Sequence, residues 1–78
     1  IKYNEDVNDF SHFAGLQNPV ELQTITRAHV IAWRKTLEVR ELSGASVRRK
    51  LSALSSLFEY LCEKNAVVHN PVKGVKRP

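Results

Sequence analysis

The chain is short of the residues that staple small folds or build reactive centres. It has one cysteine, Cys62. A single thiol cannot form an internal disulfide, so a disulfide scaffold is excluded and a reducing compartment suits the sequence. No apolar run approaches the roughly eighteen residues that cross a bilayer, and no membrane partner is expected. Only three glycines are present. None belongs to a GxxxxGK[ST] or GxGxxG loop, and Gly44 lacks the companion glycines of a phosphate cradle. His12, His29 and His69 lie on separate segments with no Cys or HExxH partner at ligand spacing, so each is expected to be solvated or at the core edge. The acids show no pairing suited to general acid–base work. No catalytic residue, metal or cofactor is therefore assigned to this chain.

Strand-like alternation and internal repeats are also missing. What remains is helical periodicity. Seventy-eight residues, 42% of them hydrophobic, make one small domain near the lower size limit for an unaided apolar core. The first helix is expected from about Tyr3 to Ala14, with Tyr3, Val7, Phe10 and Ala14 on one face and Phe13 beside it. Glu5 and Asp6 suit its positive end, and Gly15 is a natural stop. Leu16 to Ile25 contains Pro19 and reads as a loop that can hold a short turn. Thr26 caps a second helix running to about Arg40, with Ile25 and Val30 as its hydrophobic staple and Val30, Trp33 and Leu37 inward. Only Glu41 and Leu42 separate it from Ser43, the cap of a long third helix that Asn65 ends. Val47, Leu51, Leu54, Phe58 and Leu61 form the buried stripe of that helix, with Cys62 on the same side as a packed thiol.

Charge is distributed unevenly. Residues 1–24 hold Lys2 against Glu5, Asp6, Asp9 and Glu21, while residues 25–78 hold eleven Lys or Arg against four Glu. With a pI near 9.6, this favours an acidic partner, of which nucleic acid is the commonest. The third helix carries Arg48, Arg49 and Lys50 near its start, where the macrodipole favours acids, and Glu59 and Glu63 near its end, where it favours bases. A rule broken at both ends suggests a face selected for something besides stability. On a helical wheel Arg48, Arg49, Ser52 and Ser56 oppose the apolar stripe, and Lys50 lies on the flank. Arginines followed by small serines make a low-relief cationic face, and a guanidinium fork can bind a phosphate or a guanine edge through two hydrogen bonds. A merely solvated face is the alternative. Tyr60 falls on the outer arc without the clustered cations a nucleophilic tyrosine needs.

The runs ITRAHVIAW and LSGASVRRKLSALSSLFEYLCEKNAVVHNPVKGVKRP resemble the N-terminal SAM-like, core-binding domain of the tyrosine recombinases, or phage integrases. Ser46, Arg49, Leu51-Ser52-Ala53-Leu54, Phe58, Tyr60-Leu61 and Asn70-Pro71 match that family's pattern. Tyr3, Asp6-Val7, Asp9-Phe10 and Phe13 resemble its Tyr…Asp-Leu…Phe helix. The resemblance implies an all-α, SAM-like helical bundle with three main helices here and the family's first helix missing. It implies a module that grips one side of duplex DNA while a separate catalytic domain grips the other, in DNA integration and recombination. Carried over, Arg49 is the DNA contact matched most firmly. Arg48 and Lys50 follow from the wheel, Ser46 and Ser52 flank them, and Lys2 and Asn4 begin the other DNA-facing helix. Many relatives have Arg or Lys where this chain has Ser55, which removes one expected phosphate contact.

The expected partners are double-stranded DNA, the parent chain's catalytic domain and other recombinase protomers, in a bacterial or phage cytoplasm at the nucleoid. Residues 1–68 are read as the DNA-binding domain, and 69–78, with its bases and prolines, as a basic linker or a disordered tail. The rival reading is a helical protein-interaction module that docks a partner helix on an uncovered apolar face.

Overall fold

The computed structural model describes residues 5–76. The chain runs through helix α1 (Glu5–Ala14), a short 3₁₀ helix (Pro19–Thr24), helix α2 (Arg27–Val39) and helix α3 (Gly44–Glu63). The fold is all-α. No strand occurs among the described residues.

All three α-helices end in the same way. The amide of Leu16 donates to the Ser11 carbonyl at 2.9 Å, that of Leu42 to Leu37 at 3.4 Å, and that of Ala66 to Leu61 at 2.9 Å. In each case the preceding residue is left-handed: Gly15 at φ 69°, Glu41 at 58° and Asn65 at 59°. These are Schellman stops, which satisfy the last carbonyls and turn the chain back on itself. Two use residues that tolerate this conformation. The third, between α2 and α3, uses a glutamate and carries backbone strain.

The beginnings of the helices differ from one another. Asn18 Oδ1 accepts from the Val20 amide and starts the 3₁₀ turn, which lowers Leu22 and Ile25 into the core. The amide of Thr26 donates to His29 Nδ1 at 3.0 Å, so this histidine serves as a cap for α2. Ser43 Oγ accepts from the Ser46 amide at 3.1 Å and caps α3.

The core follows the apolar stripes. Val7 and Phe10 of α1, Val30, Trp33 and Leu37 of α2, and Val47, Leu51, Leu54 and Phe58 of α3 are buried. Each fully buried Leu or Phe contributes about 1.5–3 kcal/mol. Phe10 meets Trp33 edge to face at 5.1 Å, the arrangement favoured by ring quadrupoles. Leu61 and Cys62 are only half-buried, and Phe13 is exposed, because α1 turns its Val7–Phe10 edge to the bundle. Tyr3 lies outside the described residues.

After α3 the chain stays on the bundle. Asn70, Val72 and Val75 are buried, and Val72 and Val75 join the core cluster. Asn70 Nδ2 donates to the Ser55 carbonyl (3.2 Å), Ser55 Oγ (3.1 Å) and Glu59 Oε1 (3.0 Å), while its Oδ1 accepts from the Val72 amide (2.9 Å). The stretch expected to be linker thus packs as far as Val75. Its apolar side chains alternate with lysines, and a one-line sequence reading weighs the lysines and prolines more heavily.

Candidate functional site

The start of α3 lies across α1. Lys50, on the flank of the helix, sends Nζ to Asp6 Oδ1 at 3.0 Å and to Asp9 Oδ2 at 3.1 Å, with its side chain only 11% exposed. Arg49 touches the same Asp6 from outside, Nε to Oδ2 at 3.3 Å, but its side chain is 68% exposed. From the end of α2, Arg40 Nη1 reaches both oxygens of Asp9 at 3.0 and 3.1 Å. Two carboxylates one helical turn apart therefore hold three cations from two other helices. Proximity decides over the helix dipole here, because Asp6 and Asp9 supply the anions that the start of α3 lacks.

The network settles its own protonation. Burial raises the Asp9 pKa, but hydrogen bonds from Lys50 and Arg40 and their charges outweigh it, and the carboxyl ends below its ordinary 3.8. Burial lowers the Lys50 pKa, but hydrogen bonds and charge from Asp6 and Asp9 outweigh it, and the ammonium ends above its ordinary 10.5. Both groups are held charged.

The residues singled out in sequence take up different positions. Arg48, Arg49 and Ser52 are exposed on one helix, followed by exposed Ser56. Ser46 is half-buried and gives its amide to the Ser43 cap. Lys50 is withdrawn from the surface into its ion pairs, because its flank position faces α1 rather than solvent. Lys2 and Asn4 lie outside the described residues. Tyr60 is partly exposed beneath the Lys64 ammonium, 5.6 Å from the ring centre. Among the described residues no cluster of three or more His, Cys, Asp or Glu is placed to hold a metal ion, and no helix is long and apolar enough to cross a membrane.

The roles of Asp6 and Asp9 as countercharges were missed in sequence. The available signal was their i,i+3 spacing, which puts both on one edge of α1.

Residues 1–65 match the family described as the phage integrase N-terminal SAM-like domain. The chain belongs to that family. A tyrosine recombinase of Pseudothermotoga lettingae is 34% identical over the whole chain, which covers 28% of that protein. Tyrosine recombinase XerD of Rickettsia prowazekii is 31% identical over the whole chain, covering 25% of that protein. Tyrosine recombinase XerC of Listeria innocua is 32% identical over 88% of the chain and 23% of its own length. The chain thus spans about a quarter of the length of these curated relatives. No solved structure matches it. The Asn-Pro pair, which follows the matched residues, takes on a physical meaning here. Asn70 is the buried clamp that ties the segment after α3 to Ser55 and Glu59.

Proposed function

We propose that this chain is the DNA-gripping module of a site-specific tyrosine recombinase, with bond breaking and rejoining carried by a separate catalytic domain of the parent protein. Its partners are duplex DNA, that catalytic domain and further protomers assembled on the same DNA. The observation that supports this most directly is the exposure of Arg48 and Arg49 on the face of α3 whose neighbours are serines. Small side chains let the helix approach a phosphate backbone closely, and a guanidinium can pair with a phosphate oxygen in two-pronged fashion. The Asp6 contact of Arg49 does not prevent this. An ion pair this exposed contributes only about 0–1 kcal/mol and can be exchanged for a phosphate. Ser46 and Ser52 stand beside the arginines as weaker contacts. Lys50 acts differently, holding α1 against α3 so that the two arginines keep their pose.

The experiment is a titration of mixed-sequence duplex DNA at about 50 and about 200 mM salt, with wild type and an Arg48→Ala/Arg49→Ala variant. Each phosphate contact contributes about 0.9 to the slope of log K against log salt, so the double variant should lose roughly 1.8 while keeping its helix content. If the wild type fails to bind at the lower salt, the reading is abandoned in favour of a protein-docking module. That rival draws less support from the surface. The exposed large apolar residues Phe13, Val20, Ile31, Val39, Tyr60 and Val68 are spread over five segments, and only α2 carries two of them.

A further inference from the structure

A second set of cations gathers where the segment after α3 meets the start of α2. Gly74 is left-handed at φ 89°, and a Cβ built on it would stand 3.3 Å from Nη2 of Arg27. The Arg27 guanidinium therefore lies against the Gly74 backbone, between Lys73 and Lys76 along the chain. All three cations are exposed. Among the described residues none of them has a carboxylate within ion-pairing distance.

Two features show that this is more than a loose basic tail. First, the segment is held in place. Asn70 clamps it to α3, Val72 and Val75 are buried, and the amides of Lys73 and Val75 donate to the Asn70 and Val72 carbonyls at 3.2 and 3.1 Å. The lysines are thus presented by a folded turn. Second, Arg27 is the first residue of α2, where the positive end of the macrodipole disfavours a cation, typically by 0.3–1 kcal/mol. At the start of α3 the same conflict is relieved by Asp6 and Asp9. Here no described acid relieves it, and the field remains open to an outside anion.

We propose that Arg27, Lys73 and Lys76 form a second phosphate-contacting site, which binds the backbone of duplex DNA away from the α3 arginines. The inference rests on the reading of the chain as a DNA-gripping module and deepens it. Helix α2 puts a rise of about 20 Å between Arg27 and Arg40, and Arg40 belongs to the Asp6–Asp9 cluster that Arg49 also touches, so the two groups of cations lie towards opposite ends of α2. Contacts of this kind fix the pose of the domain along the duplex and carry no sequence information.

The test compares salt slopes on mixed-sequence duplex DNA for wild type, Lys73→Gln/Lys76→Gln, Arg27→Gln, Arg27→Lys and the triple Arg27→Gln/Lys73→Gln/Lys76→Gln variant. The triple variant should lose roughly 2.7 from the slope, Arg27→Gln alone about 0.9, and Arg27→Lys almost nothing. No variant should melt below wild type, since the changed side chains are exposed and form no ion pair with a described acid, and loss of the Arg27 charge at the start of α2 should raise stability slightly. If the triple variant keeps the wild-type slope while Arg48→Ala/Arg49→Ala loses its share, the second site is overturned and the module reading stands. If the lysine changes reduce the slope but Arg27→Gln does not, the lysines act as a charged tail and the site is likewise overturned. Wild-type protein that binds no DNA at low salt removes both.

Discussion

Two groups of cations stand at opposite ends of α2, and they are treated in opposite ways. At one end Arg40, Lys50 and Arg49 are shared between Asp6 and Asp9, and Lys50 is almost out of solvent. At the other end Arg27, Lys73 and Lys76 are exposed with no described acid beside them. The first group is the conspicuous one in sequence, with three bases in a row on an amphipathic helix. The second is scattered over the chain and assembled only when the last segment folds back. A run of like charges therefore does not identify a binding surface until its countercharges are known. Part of the run at the start of α3 is structural, and its outer members, Arg48 and Arg49, stay exposed.

The strongest test of this contrast is Lys50→Met, which keeps most of the unbranched side chain and removes its charge. Asp6 and Asp9 would then face each other with only exposed arginines in attendance. Loss of one partner from a largely buried ion pair costs about 3–5 kcal/mol, and the lower end applies because Arg40 and Arg49 remain. Chemical denaturation should show a loss of about 3 kcal/mol, and a loss below about 1 kcal/mol would mean the cluster is ornamental. The pH profile adds an independent check. Asp9 has a depressed folded pKa, so its contribution is present above 3.8 and fades as pH falls through the folded value. Lys50 has a raised folded pKa, so its contribution is present below 10.5 and fades as pH rises through the folded value. In the Met variant the alkaline loss due to Lys50 should vanish. The matching substitutions at Lys73 and Lys76 should leave stability unchanged at every pH.

Asn70→Ala tests the other end. It removes the clamp and leaves the buried Val72 amide without its acceptor. An orphaned buried donor costs about 1–3 kcal/mol, so a loss of about 2 kcal/mol is expected. Trypsin should also cut faster after Lys73 and Lys76, because the turn that presents them would open more often. Unchanged proteolysis with unchanged stability would show that the segment is not held through Asn70, and that the second group of cations is merely tethered.

Much of the fold was legible in sequence because it is encoded locally. The stripes Val30–Trp33–Leu37 and Val47–Leu51–Leu54–Phe58, the caps Thr26 and Ser43, and the stops Gly15 and Asn65 are each set by residues within one or two turns. The family was legible for the same reason, since its pattern is a series of short local motifs in order. What stayed hidden depends on contacts between residues far apart. Lys50 could not be placed in an ion pair without the crossing of α1 and α3, and Arg27 could not be joined to Lys73 and Lys76 without the docking of Val72 and Val75. The Asn70-Pro71 pair was read for what proline forbids, a helix running through it. The asparagine side chain, which does the holding, left no periodic signal. Phe13 was placed beside the buried face on a wheel too coarse to tell its half-open edge from its closed one.

Gly74 and Glu41 bring the comparison down to single backbone positions, since both are left-handed, at 89° and 58°. At the unbalanced end the position is already glycine. Gly74→Ala should destabilise by about 1 kcal/mol, mainly from the disfavoured φ, because the Arg27 guanidinium it would crowd is the flexible end of a side chain and can move aside. At the balanced end a glutamate occupies the stop between α2 and α3 and carries that cost permanently. Glu41→Gly relieves the steric conflict, but it also gives the unfolded chain more freedom, which takes back about 0.5–1 kcal/mol. The net gain should be small, about 0.5 kcal/mol, or a rise of about 2–4 °C in melting temperature for a domain of this size. Removing the acid also takes a negative charge from the loop directly ahead of Arg48 and Arg49. If the variant is more stable yet binds duplex DNA no more tightly at low salt, Glu41 lies outside the field felt by the phosphates, and the contact surface begins at the arginines themselves.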